Sequence, residues 1–147
     1  HLMPFGRVAV PVAVKDTSKW ASLDALADEL TRAGQQVCVM DLCRCDLAQA
    51  VSDAFRYDRL VLACATYDGG MYLPMEDYLN HLKAKNFQKR KIGLMENGSW
   101  APMAAKKMKE ALEGMKEMTF CDTVVTIRSA MKENDLPQIQ KLAEELL

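Results

Sequence analysis

Arg59-Leu60-Val61-Leu62-Ala63-Cys64 is a short, almost continuously apolar run, and Ala65-Thr66-Tyr67-Asp68-Gly69-Gly70 closes it. A strand covered on both faces has this composition, because neither set of alternating side chains meets water. The paired glycines behind it let the chain turn sharply and approach a ligand, and Thr66 and Asp68 offer polar groups at that turn. Outward from this run, similar ones recur at residues 7–14, 37–41, 91–95 and 123–127. The stretches between them carry helical period: Leu23, Leu26, Ala27 and Leu30 form one stripe that stops at Gly34. Leu47, Ala50, Val51, Ala54 and Phe55 form a second, and Met75, Tyr78, Leu79 and Leu82 a third. Pro102 suits a first helical turn ahead of Ala104, Met108, Ala111, Leu112 and Met115, and Leu136, Ile139, Ala143 and Leu146 close the series. Five βα units around a parallel sheet are predicted, an α/β fold.

The bulk properties narrow the function classes. The 147 residues are 50% hydrophobic and 27% charged, as in an ordinary globular domain. Nineteen basic against twenty acidic side chains give a net charge of -1, so no broad field favours nucleic acid or an anionic membrane. No apolar run approaches the roughly 20 residues of a membrane span, and a cytoplasmic location is expected. Residues 1–6 are set aside as leader or appended residues and 7–147 are read as one domain. The odd set Cys38, Cys43, Cys45, Cys64 and Cys121 argues against a disulfide framework. Cys43-x-Cys45 lacks a second ligand pair, so no metal site is expected.

In an open parallel sheet, ligands bind beyond the carboxyl ends of the strands where strand order reverses, which selects three loops. The loop after the third run is Thr66-Tyr67-Asp68-Gly69-Gly70. After the fourth comes Glu96-Asn97-Gly98-Ser99-Trp100-Ala101-Pro102, with Trp100 placed either to stack on a ligand or to pack over its own helix. The loop after the first run contains Lys15, Asp16, Thr17, Ser18 and Lys19. No nucleophile elbow, catalytic carboxylate pair, Walker lysine loop or GxGxxG fingerprint occurs, so hydrolase, kinase and dehydrogenase readings find no support.

Asp58-Arg59-Leu60-Val61-Leu62-Ala63, Thr66-Tyr67-Asp68-Gly69-Gly70, Pro74-Met75-Glu76-Asp77-Tyr78-Leu79, His81-Leu82-Lys83-Ala84-Lys85-Asn86-Phe87 and Glu96-Asn97-Gly98-Ser99-Trp100-Ala101-Pro102 closely resemble the flavodoxin-like domain of flavodiiron proteins, also called A-type flavoproteins. The likeness is dense from about residue 50 to about residue 130. It implies a flavodoxin-like three-layer sandwich with a five-stranded parallel sheet of order 2-1-3-4-5 and helices on both faces. It also implies noncovalent FMN and electron transfer. By position, Thr66, Tyr67, Asp68, Gly69 and Gly70 would meet the ribityl chain and flavin edge, and Asn97, Gly98, Ser99 and Trp100 the ring. Asp68 stands where the family often has asparagine.

The phosphate loop departs from the family pattern, whose serine or threonine, glycine, asparagine and threonine fall on Val14, Thr17, Ser18 and Lys19. Two readings stand: Asp16, Thr17 and Ser18 cap the first helix themselves, or Lys15 and Lys19, with Thr17 and Ser18, hold a phosphate by another geometry. These residues hold no counterpart of the metal-bearing β-lactamase-like domain of that family, and two histidines cannot furnish its ligands. The expected partners are therefore a redox protein or a diiron domain, with a homodimer left open; electron transport without a metal centre of its own is the expected role. The alternatives are a flavin-free domain of structural or dimerising role and a response-regulator-like module, for which the acidic cluster after the first strand is absent. Pro11 falls inside the first strand, central in the implied order, where it removes a ladder donor unless a bulge or strand end accommodates it.

Overall fold

The structure is a computed structural model that describes residues 6–15, 20–67, 70–98, 103–128 and 131–147. Its strands are β1 (Arg7–Ala13), β2 (Gln36–Asp41), β3 (Arg59–Tyr67), β4 (Gly70–Met71), β5 (Lys91–Asn97) and β6 (Thr119–Ile127). Its helices are α1 (Ala21–Arg32), α2 (Leu47–Ala54), α3 (Leu73–Ala84), α4 (Ala104–Glu113) and α5 (Leu136–Glu145). The path across the sheet is β2-β1-β3-β5-β6, all neighbours parallel, while β4 pairs antiparallel with the end of β3. This is the flavodoxin-like order. It differs from expectation by one strand, because Gly70 and Met71 fold back onto Tyr67 and Thr66 and so make β5 of the fourth expected run.

Alternation sorts the side chains into two cores. Ala9, Ala13, Leu60, Leu62, Cys64, Ile92 and Leu94 face Val51, Met75, Tyr78, Leu82, Met108 and Leu112, so α2, α3 and α4 cover one face. Val8, Val10, Val12, Val61, Ala63 and Met95 face Leu23, Leu26, Leu30, Ile139, Leu142 and Leu146 of α1 and α5 on the other. Each fully buried leucine contributes about 1.5–3 kcal/mol, so both helical layers are held chiefly by apolar burial. Gly93 of β5 sits under α5, and a Cβ there would stand 3.1 Å from Leu142 Cδ1. Gly34, at φ 86°, ends α1 in the left-handed conformation that glycine adopts without strain.

Pro11 needs neither a bulge nor a strand end. Gln36 N–H bonds Gly6 C=O and Leu42 N–H bonds Val12 C=O, so the even residues of β1 turn their polar groups toward β2. The donor that Pro11 lacks therefore faces β3. There the pairing runs Val8 with Arg59 and Ala9 with Leu60, then resumes at Val12 with Ala63 in unchanged register. The proline costs the central ladder one bond without shifting it.

On β6 the register does shift. Ile92 pairs with Phe120 and Leu94 with Val124, so three residues of β6 stand opposite Gly93 alone. Glu145 of α5 holds that irregularity: Oε1 accepts from Thr123 N–H at 2.9 Å and Oε2 accepts from Thr123 Oγ1. Burial pulls Glu145 upward, but these bonds, the Asp122 N–H and Lys141 hold its carboxyl below the usual range. No helix among the described residues is long and apolar enough to cross a membrane.

Candidate functional site

β1 leads into α1 on one face of the sheet and β3 leads toward α3 on the other, which opens a crevice between their carboxyl ends. Ala13 stands beside Cys64, and Ala65 beside Asn97, so the ends of β1, β3 and β5 form one ledge. Val14, Ser22, Cys64, Met95, Glu96 and Asn97 line a recess of about 10 Å³ in that ledge, room for about one water.

Thr66 and Asn97 were expected in loops but lie in strands. β3 continues through Thr66 to Tyr67, and β5 through Glu96 to Asn97. The polar ends look like loop in the sequence because their polarity serves α4, a distant helix. Thr66 Oγ1 accepts from Met103 N–H at 3.0 Å and from Ala104 N–H at 3.2 Å. Glu96 Oε1 accepts from Ala105 N–H at 3.0 Å, and Oε2 accepts from Thr126 Oγ1 at 2.7 Å. Met103, the N-cap residue of α4, gives no side-chain cap, so side chains from two strands satisfy donors that a helix start leaves orphaned. With both acceptor positions of its hydroxyl taken, Thr66 retains one O–H to donate. Any ligand group it meets must be an acceptor.

The remaining expected residues divide as follows. Gly70 pairs within β4, has no positive φ and leaves open space where a Cβ would stand, so the conformational freedom expected of it is not used there. Gly98 N–H bonds Ile127 C=O at 3.1 Å, tying the loop after β5 to the end of β6. Lys15 is exposed just past β1. Asp16, Thr17, Ser18, Lys19, Asp68, Gly69, Ser99, Trp100 and Pro102 lie outside the described residues, and of Tyr67 only the backbone is described. α4 begins at Ala104 with Met103 as its N-cap.

The two readings of the loop before α1, capping by Asp16, Thr17 and Ser18 or a phosphate held by Lys15 and Lys19 with Thr17 and Ser18, fall outside the described residues, Lys15 apart. α1 begins at Ala21 and its N-cap position is Trp20, which contributes no side-chain cap. Its C=O takes the N–H groups of Leu23 and Asp24, and its indole Nε1 donates to Val14 C=O at 3.3 Å. The N–H groups of Ala21 and Ser22 are those the helix itself cannot pair. Ser22 is 6% exposed in the wall of the recess.

Three further residues were given no role by the sequence reading. Glu96 opens the Glu96–Pro102 stretch, and its charge next to the end of an otherwise apolar strand was the one signal available. Ser22 interrupts the apolar face of α1. Arg44 lies in the turn after β2, where NH1 meets Asp41 Oδ2 at 2.7 Å and NH2 donates to Lys15 C=O at 3.0 Å. The cysteines here are poor nucleophiles: burial pushes the Cys64 thiol up to about 12, and burial, then the Asp41 carboxylate, raise Cys43. Among the described residues no group of three or more His, Cys, Asp or Glu is placed to hold a metal.

No protein-family model matches the sequence, and no curated protein matches it. Solved structures do. Rubredoxin oxygen:oxidoreductase from Desulfovibrio gigas superposes with a TM-score of 0.89 at 20% identity, over 97% of this chain and 35% of its own. The Flv1 flavodiiron core from Synechocystis sp. PCC6803 gives 0.84 at 14% identity, over 96% and 35%. A flavodoxin from the domain Archaea gives 0.80 at 19% identity, over 95% of both chains. The chain thus spans about a third of the two larger proteins and nearly the whole of a flavodoxin, and its fold is flavodoxin-like.

Proposed function

We propose that this domain binds FMN at the carboxyl ends of β1, β3 and β5 and passes electrons, as the flavodoxin-like module of a flavodiiron-type oxygen or nitric oxide reductase. The observation that carries the reading is the crevice where α1 and α3 leave the sheet on opposite faces, the place where this topology accepts ligands. Its donor set suits a phosphorylated, acceptor-rich ligand: the unused Thr66 O–H, the buried Ser22 hydroxyl, the α1 N–H groups and the cations Lys15 and Arg44. Lys15, Thr17, Ser18 and Lys19 would surround the phosphate, Thr66 to Gly70 the ribityl chain and flavin edge, and Asn97 to Trp100 the ring.

FMN supplies reversible electron transfer when bound; the chain's part is to hold the flavin, orient it and limit water around it. Electrons would arrive from a redox partner protein and leave for a diiron domain. The test is a titration of flavin-stripped protein with FMN, followed by flavin fluorescence and visible absorbance. Saturable 1:1 quenching supports the reading. No quenching at millimolar FMN overturns it in favour of a structural role for the same scaffold.

A further inference from the structure

We propose that the carboxyl end of α3 and the turn behind it form a docking surface for an acidic peptide segment of a partner protein, one that carries an apolar anchor. Five of the nineteen lysines and arginines fall between Asp77 and Glu96, at Lys83, Lys85, Lys89, Arg90 and Lys91, and none of the twenty acidic residues does. The chain as a whole carries -1, so this corner is positive against an acidic remainder. Arg90 serves the fold. Its Nε donates to Tyr57 C=O at 2.7 Å, Nη2 to Phe55 C=O at 3.3 Å and Nη1 to Gln88 C=O at 2.5 Å, and Cζ sits 4.8 Å over the Phe87 ring. The lysines have no such duty: among the described residues Lys83, Lys85, Lys89 and Lys116 pair with no carboxylate, and all four are exposed.

Two depressions flank the end of α3. On the α2 side Ala48, Val51, Ser52 and Phe55 meet His81 and Lys85 around a groove of about 550 Å³. On the α4 side Lys83, Asn86, Gln88 and Lys116 border a cleft of about 410 Å³. Phe55 is 39% exposed and stands edge-on to buried Phe87 at 5.1 Å, so the groove presents a fixed aromatic wall. An apolar slot beside unpaired lysines complements an apolar anchor with carboxylates next to it. Four lysines neutralise few phosphates and the slot reads none, which sets the surface apart from a nucleic-acid site. The backbone here is also unusual. The non-glycine residues with positive φ among the described residues are Asn86 at 60°, Lys89 at 59° and Glu117 at 56°, all in this corner, where Lys89 N–H donates to Lys116 C=O at 3.1 Å. Left-handed lysine and glutamate are uncommon, and such residues gather at functional surfaces. The surface lies at the amino end of β5, about 20 Å along that strand from the crevice, so a docked partner leaves the crevice open.

The probe is a short fluorescein-labelled peptide of glutamates flanking one phenylalanine, titrated with the full chain at low salt and read by fluorescence anisotropy. Saturable binding is expected, weakened about tenfold or more in the double variant K83E/K85E. S52K separates the slot from the charge: it fills the groove while adding a cation, so affinity falls if the anchor is seated there and rises if charge alone acts. All three positions are exposed, and each replacement suits a helix, so the variants keep the fold. Absence of saturable binding at millimolar protein overturns the proposal, as does undiminished binding by K83E/K85E or tighter binding by S52K. Two competitors complete the test. Displacement of the peptide by an equal charge concentration of inorganic pyrophosphate would make this a small-anion site, and tighter binding of a single-stranded oligonucleotide would make it a nucleic-acid surface; either result also overturns the proposal.

Discussion

Replacing Thr66 with valine separates the two duties assigned to that residue. Valine keeps the shape and removes the oxygen that accepts from Met103 and Ala104 N–H at 3.0 and 3.2 Å. Both donors belong to the start of α4, whose N-cap side chain provides no substitute, and the hydroxyl is half-buried, so water replaces it poorly. Loss of a cap costs about 0.5–2 kcal/mol, and leaving a half-buried donor unsatisfied brings the figure to the upper half of that range, about 1–2 kcal/mol. For a chain of this length that is a fall in Tm of about 3–6 °C. With a urea slope of about 2 kcal/mol per M, the midpoint moves by about 0.5–1 M. The assay is urea unfolding of flavin-free protein by far-ultraviolet circular dichroism, with T66S beside it. Serine retains the acceptor and should stay within about 0.5 kcal/mol of wild type, allowing for its lost methyl. If T66V matches wild type, or T66S falls as far as T66V, Thr66 does not cap α4 and the account of polar strand ends fails.

Two pH dependences follow from the same coordinates. The Cys64 thiol, raised from 9.0 to about 12 by burial, contributes stability that is complete below pH 9 and is lost as pH rises through 12. Wild type should therefore lose about 1.4 kcal/mol per pH unit more than C64A between those limits, measured by urea unfolding, and Cys64 should resist alkylation at pH 8 while exposed Cys45 reacts. Parallel pH curves for the two proteins would contradict its burial. Glu145 is depressed, so its contribution is present above the ordinary carboxylate range and is lost as pH falls through its own lowered value. E145Q should cost about 0.5–1.5 kcal/mol at pH 7 and nothing at pH 2.5 in thermal melts; an equal loss at both would show that its charge is irrelevant to the β6 irregularity.

The residues that sorted well from sequence were those whose neighbours lie close along the chain. Val8, Val10 and Val12 against Ala9 and Ala13 reveal a strand buried on both faces, and Leu23, Leu26 and Leu30 reveal a stripe, because burial imposes a period on the local sequence. The strand ends were misread for the opposite reason. Thr66 is polar on account of a helix 37 residues later, and nothing near it announces that partner. Two-residue β4 leaves no period at all. The start of α1 left little local signal, because Trp20 at its N-cap position offers no side-chain cap and its indole bonds the Val14 carbonyl instead. Arg44 escaped notice because a lone arginine in a turn has no pattern; only the crossing of β2 beside β1 brings it to Lys15.

The pinned irregularity of β6 makes the two margins of the sheet unequal as templates. A strand's outer row of N–H and C=O groups invites another chain to pair with it, and a kink in the row spoils the match. β6 carries extra residues between Phe120 and Val124, anchored sideways onto Glu145, so an incoming strand meets a broken row there. β2 has no such interruption: Gln36–Asp41 pairs in regular register with β1, and its Val39 is 42% exposed. Strand addition, in a crowded solution or from a misfolded copy, is thereby directed to the β2 side, and a lysine in place of Val39 would close that margin as well.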